Sequence, residues 1–242
     1  MKAMVLAAGL GTRLRPLTND RPKALVTVAG RTLLEIVLDR LRGFGVGEAI
    51  VNAHHHADMI VEYLEANHNF GMRIEVSREE ELLDTGGGLK KAAWFFLDSA
   101  EPFILHNVDV ISSIDLGSMM RFHAQQEALA TLAVQDRETS RYLLFHEQGS
   151  LCGRRAGREG KAELARPAQQ VRALAFSGIH VISPQIFSKM EEGGAFSIID
   201  AYLRLAPQGE KIAAFGADEW YWRDLGRPEN VMAAALDMAK GM

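Results

Sequence analysis

The sequence predicts an α/β fold in which a mixed, mostly parallel sheet is covered by helices on both faces. From residue 2 to about residue 134, short apolar segments alternate with longer segments whose apolar residues recur at helical spacing. Such alternation is typical of parallel strands joined by helices. The 242-residue chain is 48% hydrophobic and 24% charged, the balance of a globular protein with a large core.

The elements of the first half each have a local reason. An apolar run predicts a buried first strand at residues 2–7. Thr32 with Glu35 three residues later predicts a capped first helix, which Gly43 and Gly45 end. The same criteria predict strands at 48–53, 73–77, 102–107 and 129–134 and helices at 57–67, 85–96 and 114–126. Segments 8–23, 79–88 and 107–110 directly follow strands, so we expect them to meet in one cleft beyond the carboxyl ends of the parallel strands.

Beyond residue 140 the alternation weakens. Glycines alternate with basic residues between 140 and 171, which predicts hairpins or a mobile flap. Strands are expected at 173–182, 211–215 and 220–224, and helices at 184–190, 197–206 and 228–240. We predict one domain over residues 1–242, with no linker, no internal repeat and no hexapeptide β-helix repeat at the C-terminus.

Composition excludes several classes of protein. The net charge of −4 argues against nonspecific binding to nucleic acid, which needs a basic face. No apolar run approaches the roughly 18 residues that a membrane span requires, and the first residues lack a signal-peptide pattern. The single cysteine, Cys152, fits a reducing compartment. We therefore expect a cytoplasmic protein with neither nucleic-acid nor membrane partners.

The most informative segment is the loop after the first strand. Residues 6–18 read L-A-A-G-L-G-T-R-L-R-P-L-T, and a Pro-Lys pair follows at 22–23. Glycines allow backbone N–H groups to approach an anion, and Arg13 and Lys23 add fixed positive charge. The loop therefore predicts binding of a polyphosphate.

Three known patterns of phosphate-binding loops can be compared with this segment. The dinucleotide fingerprint is excluded because Leu14 replaces its third glycine and Pro16 interrupts the expected helix. The Walker A loop is excluded because no Gly-Lys-Ser/Thr ends the segment. The remaining pattern, L-A-A-G-x-G-T-R-L-x-P-L-T followed by Pro-Lys, matches at every fixed position. On these residues the chain resembles the sugar-1-phosphate nucleotidyltransferases, or NDP-sugar pyrophosphorylases.

The resemblance implies a Rossmann-like fold and a magnesium site. Asp109 and Asp224 both look like strand-end aspartates, and Mg²⁺ is commonly held by one or two carboxylates together with phosphate oxygens. The family's two metal-binding aspartates fall on these residues. Its triphosphate-gripping arginine and lysine fall on Arg13 and Lys23, which are the catalytic candidates.

The resemblance also implies a set of binding residues. The nucleotide-binding half is expected at residues 1–138 and the sugar-binding half at 139–242. The nucleotide candidates are Leu6, Ala8, Gly9, Gly11, Thr12, Arg13, Glu79, Asp84 and Gly87. The sugar candidates are Asn107, Ser177 and Gly178. Glu79 sits where the family reads the base edge, and a carboxylate, which only accepts hydrogen bonds, suits the N–H groups of guanine better than those of uracil.

The implied reaction transfers a nucleoside monophosphate from a triphosphate to a sugar 1-phosphate. The chain looks most like N-acetylmuramate-1-phosphate uridylyltransferases, with UTP as donor. A GTP-dependent guanylyltransferase acting on a mannose- or heptose-type phosphate is the alternative. The oligomeric state stays open.

Two departures from the family pattern motivate an alternative of a different class, a catalytically weak regulatory subunit that binds nucleotide sugars. Val108 replaces the glycine that usually precedes the first metal-binding aspartate of the family. A Glu-Lys-Pro segment that many family members carry is missing from this chain. Arg166 is a candidate replacement for the lysine of that segment, which holds the sugar phosphate.

Overall fold

The computed structural model describes residues 1–241 as a layered arrangement of strands and helices. The helices are α1 (Leu33–Gly43), α2 (Ala57–Ala66), α3 (Asp84–Lys91), α4 (Leu116–Gln126), α5 (Ile198–Leu205) and α6 (Pro228–Ala239). The strands are β1 (Lys2–Leu6), β2 (Thr27–Val28), β3 (Arg31–Thr32), β4 (Glu48–Ala53), β5 (Arg73–Arg78), β6 (Phe103–Asn107), β7 (Val110–Ser112), β8 (Ala130–Gln135), β9 (Arg141–His146), β10 (Leu151–Ala156), β11 (Ala162–Leu164), β12 (Val171–Ile182), β13 (Ile212–Gly216) and β14 (Trp222–Asp224).

One large sheet organises the molecule. Its strand order is β11-β10-β9-β12-β6-β1-β4-β5, and β8 joins it by pairing with β12 and with β13. The pairs β1–β4, β1–β6 and β4–β5 are parallel, so the carboxyl ends of these strands meet at one edge. The long strand β12 runs antiparallel to β6 and connects this parallel region to the hairpin strands β9 to β11.

Buried side chains form a core layer on each face of the sheet. Ala3 and Val5 of β1 point into the first layer and Met4 points into the second, as expected from alternation along a strand. Helices α1, α2, α4 and α6 cover the first layer, whereas α3 and α5 cover the second. The prediction of a mixed sheet with helices on both faces is confirmed.

Local signals place most elements within two residues of their predicted bounds. Thr32 accepts a hydrogen bond from Glu35 N at 3.1 Å and caps α1, as predicted. The predicted helix at 85–96 ends earlier, because α3 stops at Lys91 and a 3₁₀ turn follows at Ala93–Phe95. Residues 140–171 form hairpin strands, one of the two options that the sequence left open. Within residues 1–241, no helix combines the length and apolar character needed to cross a bilayer.

Candidate active site

The loop after β1 turns at the carboxyl end of the strand. Gly11 has a φ of +64°, and a Cβ there would lie 2.9 Å from Thr18 Cγ2. The Gly11 carbonyl accepts from Thr18 Oγ1 at 2.8 Å and from Leu14 N at 2.9 Å. These contacts hold a single 3₁₀ turn, Thr12–Leu14, where a dinucleotide fingerprint would open a helix.

A cleft of about 630 Å³ lies beyond the carboxyl ends of the parallel strands. Segments 8–23, 79–88 and 107–110 each contribute to its wall, so the predicted convergence of these segments in one cleft is confirmed. The lining residues are Leu6, Ala8, Gly9, Arg13, Lys23, Asn52, Leu82, Asp84, Thr85, Asn107, Val108, Asp109, Ala195 and Asp224.

The two candidate metal ligands are brought together by strand pairing. Strand β14 pairs with β7 so that Asp224 lies opposite Val110, the residue after Asp109. Leu225 N also donates to the Asp109 carbonyl at 2.7 Å. Asp109 is 6% exposed, and its carboxylate is ion-paired with Lys23. Two residues from opposite halves of the sequence therefore share one end of the cleft.

Arg13 lies beside Asp224 at this end. A Cβ at Gly226 would lie 2.8 Å from Asp224 Oδ1 and 2.9 Å from Arg13 Nη2, so both groups flank that glycine. Gly226 N donates to Asp224 Oδ1 at 2.7 Å and fixes the carboxylate.

The donor set fits a metal shared with substrate. The wall carries two cationic side chains, those of Arg13 and Lys23, and the three carboxylates of Asp84, Asp109 and Asp224. A divalent cation would turn this net negative wall positive, as a polyphosphate requires. Residues 1–241 contain no cluster of three or more His, Cys, Asp or Glu side chains that could hold a metal. Two carboxylates completed by phosphate oxygens and water suit Mg²⁺.

The predicted base-reading residue, Glu79, does not line the cleft. It is 4% exposed, and Oε1 accepts from Asn52 Nδ2 at 2.7 Å while Oε2 accepts from Leu83 N at 3.0 Å. Both carboxylate oxygens thus already accept from protein donors. A contact of Glu79 with the base therefore stays a prediction.

The segment at residues 82–88 lines the cleft through Leu82, Asp84 and Thr85 rather than through its three glycines. Asp84 is exposed, lines the cleft and begins α3. Gly87 is buried instead, since a Cβ there would lie 2.4 Å from the Gly194 carbonyl. Thr85 Oγ1 accepts from Ile198 N at 3.0 Å and ties this segment to α5. Gly87, like Gly11 and Thr12 of the first loop, supports the wall and does not form it.

Of the three predicted sugar-binding residues, one lines the cleft and two lie outside its lining. Asn107 lines the cleft, whereas Gly178 lies behind it with a φ of +75°. A Cβ at Gly178 would lie 3.0 Å from Asn107 Nδ2 and 2.8 Å from Val110 Cγ2. Ser177 is fully buried, and its carbonyl accepts from Trp222 Nε1 at 2.7 Å. Both residues support Asn107 and its surroundings from behind, and their contact with a sugar stays a prediction.

The two departures from the family pattern have different outcomes. Val108 borders the cleft, but it is 1% exposed and packs in the first core layer. Its backbone N donates to the Leu6 carbonyl at 3.1 Å. Its side chain therefore does not obstruct the cleft. Arg166 does not line the cleft, so it is not positioned there to replace the missing lysine.

Asn52 and Ala195 were missed from the sequence, whereas Leu82 and Thr85 were expected only as part of segment 79–88. Asn52 could have been found, because it lies near the carboxyl end of a parallel strand, where ligands bind in such sheets. Ala195 reaches the wall through packing around α5 and carries no local signal.

A buried histidine lies directly beneath Asn107. His106 is 1% exposed, and its Nδ1 lies 2.8 Å from the Asn107 carbonyl oxygen. Burial, assisted by the nearby charge of Arg40, lowers the pKa of His106 to about 3. Its ring is therefore neutral at neutral pH and acts as a support of the wall.

Comparison with known proteins defines the class of this fold and cleft. The family model described as nucleotidyl transferase matches residues 2–241. The chain belongs to this nucleotidyltransferase family, and the family and enzyme class predicted from the sequence are confirmed.

Particular relatives refine the picture. The chain is 36% identical to the N-acetylmuramate alpha-1-phosphate uridylyltransferase of Caulobacter vibrioides, over 98% of this chain and 97% of that protein. It is 30% identical to the mannose-1-phosphate guanyltransferase beta-B of Xenopus laevis, over 96% of this chain but only 63% of that protein. The solved structure of HddC from Yersinia pseudotuberculosis with GMP-PN has a TM-score of 0.76 at 23% identity, covering 98% of this chain and 99% of that one. This likeness confirms the Rossmann-like fold.

Proposed function

We propose that this chain transfers UMP from UTP to N-acetylmuramate 1-phosphate or a similar hexose 1-phosphate, with release of pyrophosphate. Support for this donor and acceptor comes from the uridylyltransferase relative, which matches along nearly its whole length. The guanyltransferase relative is matched over less than two thirds of its length. We further propose a cytoplasmic location, a single catalytic domain and dependence on Mg²⁺.

The observation that carries the proposal is the convergence of Arg13, Lys23, Asp109 and Asp224 on one cleft. In the proposed reaction the phosphate oxygen of the sugar phosphate attacks the α-phosphorus, and pyrophosphate leaves. Such a reaction needs two anions held in line and charge neutralised on the leaving group. Arg13 and Lys23 orient and neutralise the triphosphate, and the backbone of Ala8 and Gly9 faces its phosphates.

Asp109 and Asp224 would hold Mg²⁺, which when bound supplies positive charge to phosphate oxygens. Lys23 is ion-paired with Asp109, and an ammonium on a flexible stem can exchange a carboxylate for a phosphate oxygen. Lys23 is therefore placed to move toward the triphosphate as it enters.

The buried position of Glu79 weakens the guanine alternative. The carboxylate that favoured guanine over uracil is 4% exposed and already accepts hydrogen bonds from Asn52 Nδ2 and Leu83 N. The packed position of Val108 likewise weakens the idea of a regulatory subunit with impaired catalysis.

The test is pyrophosphate release with Mg²⁺ from UTP, GTP, CTP and dTTP, each paired with N-acetylmuramate 1-phosphate, N-acetylglucosamine 1-phosphate or mannose 1-phosphate. We expect UTP with N-acetylmuramate 1-phosphate to give the highest kcat/KM. A preference for GTP with mannose 1-phosphate would contradict the proposal. Asp109→Ala protein from the same preparation measures the background from contaminating enzymes.

A further inference from the structure

We propose that Asn52 and Glu79 form a brace that fixes the distance between the two walls of the nucleotide pocket. We call this pair of side chains the Asn52–Glu79 brace. The proposal rests on the proposed function, because it concerns the binding of a nucleoside triphosphate. It also assigns Glu79 a positioning role that is independent of which base is bound.

One end of the brace holds the phosphate loop. Asn52 lies near the carboxyl end of β4 and is 2% exposed. Its Oδ1 accepts from Ala7 N at 2.7 Å, and Ala7 directly precedes Ala8 and Gly9 in the cleft wall. The Asn52 side chain therefore sets the position of the strand-to-loop transition from which the wall begins.

The other end holds the segment across the cleft. Glu79 Oε1 accepts from Asn52 Nδ2 at 2.7 Å, and Glu79 Oε2 accepts from Leu83 N at 3.0 Å. Leu83 lies between Leu82 and Asp84, which both line the cleft. A continuous series of three hydrogen bonds thus connects Ala7 to Leu83 behind the pocket.

Because these side chains are buried, the loss of any one of the three hydrogen bonds is costly. Among residues 1–241, no Lys, Arg or His forms an ion pair with Glu79, and its carboxylate accepts from the N–H groups of Asn52 and Leu83. Hydrogen bonds to a charged acceptor are stronger than those between neutral groups, and a buried donor left without its acceptor is costly. A change at Glu79 therefore shifts the Leu82–Asp84 segment before it affects any contact with a base.

Gly88 leaves the space that the brace occupies. A Cβ at Gly88 would lie 2.7 Å from Glu79 Oε1 and 2.8 Å from Asn52 Nδ2. The same segment has Gly86 against Phe196 and Gly87 against Gly194, so each of the three glycines accommodates a different neighbour. Packing around the brace thus explains the last glycine of this run.

A charge exchange tests the brace. Glu79→Gln replaces one carboxylate oxygen with an N–H donor, which then faces another donor, either Asn52 Nδ2 or Leu83 N. Asn52→Asp removes the N–H group that donates to Glu79. We expect each single variant to raise the KM for UTP, GTP, CTP and dTTP by a common factor of about ten or more. In the double variant, the carboxylate at position 52 accepts from Ala7 N and from the new amide, whose oxygen accepts from Leu83 N. All three hydrogen bonds are restored, and the KM should return to within about threefold of wild type.

The same experiment separates a brace from a base reader. A base reader would change the ranking of the four triphosphates on Glu79→Gln, and Asn52→Asp would not rescue it. Either outcome, or unchanged KM in both single variants, overturns the proposal. Glu81→Gln, at an exposed neighbour, is the matched control and should stay within about twofold of wild type.

Gly88→Ala provides an independent variant that keeps both brace side chains. We expect it to raise the KM for all triphosphates without changing their ranking, and an unchanged KM would contradict the brace. Circular dichroism and thermal unfolding establish that each variant is folded. If wild-type protein turns over no substrate pair, the proposed function fails, and UTP dissociation constants measured by calorimetry then test the brace in the same variants.

Discussion

The proposed phosphate side and the proposed sugar side of the cleft are built in different ways. On the phosphate side, Ala8, Gly9, Arg13 and Lys23 come from one continuous loop after β1. On the sugar side, Asn107 and residues behind it come from β6 and from the antiparallel strand β12. The comparison teaches that a site made from one segment can be recognised in a sequence, whereas one made by strand pairing is recognised only when the fold is known.

The largest expected effect lies where the two sides meet. Asp109→Ala or Asp224→Ala should each lower kcat by about a thousandfold, because several kcal/mol of charge stabilisation at the phosphates is lost. The measurement is pyrophosphate release at saturating substrates over a range of Mg²⁺ concentrations. Activity that survives both substitutions together would refute the assigned metal ligands.

A smaller effect is expected on the phosphate side alone. Arg13→Ala should lower kcat/KM for the triphosphate by about 10- to 100-fold, because a charge-assisted contact to phosphate is removed. Arg15→Ala is the control, since Arg15 is exposed and does not line the cleft. If both variants lose activity equally, the loss reports damage to the loop rather than a contact of Arg13.

The sugar side should respond to backbone shape more than to polar groups. Gly178→Ala introduces a Cβ at a φ of +75° against Asn107 and Val110, and we expect about a tenfold higher KM for the sugar phosphate. Ser177→Ala should leave activity within about twofold, because the Ser177 hydroxyl has no hydrogen-bond partner among residues 1–241 and does not line the cleft. Steady-state kinetics with the sugar phosphate varied compares the two. A larger loss in Ser177→Ala would restore that side chain to the sugar site.

The smallest effect concerns stability beneath the sugar side. Folded His106 binds a proton only below about pH 3, whereas the unfolded histidine binds one below about pH 6.5. Its contribution to stability is therefore complete above pH 6.5 and falls as the pH is lowered. Wild-type protein should lose unfolding free energy when the pH falls from 7 to 5. The His106→Asn variant should lose about 1–2 kcal/mol less over the same pH range. Urea unfolding at both pH values measures this, with exposed His68→Asn as the control, and equal losses in wild type and His106→Asn would show that His106 does not titrate on unfolding.

Much of the fold and the phosphate side could be predicted from the sequence. Period and capping signals placed α1 and the parallel strands, and the carboxyl-end rule brought segments 8–23, 79–88 and 107–110 together. The family could be identified from the loop pattern alone, because the fixed positions of that pattern lie close together in the sequence.

The remaining residues depended on tertiary packing that the sequence does not display. Glu79 follows a strand, as cleft residues do, but its side chain turns inward to Asn52 and Leu83. Gly178 has a close packing reason of its own, because a Cβ there would meet Asn107 and Val110. In both cases the residue type fits a binding role and a supporting role equally, and only its contacts separate them.

The central claim is that Asp109 and Asp224, distant in sequence, act together on one metal, and a double-mutant cycle tests it most directly. Rates of pyrophosphate release are measured for Asp109→Asn, Asp224→Asn and the double variant. If the two carboxylates act as a unit, the double variant should be no more than about threefold slower than the slower single variant. Losses that multiply, so that each aspartate contributes independently, would contradict the account.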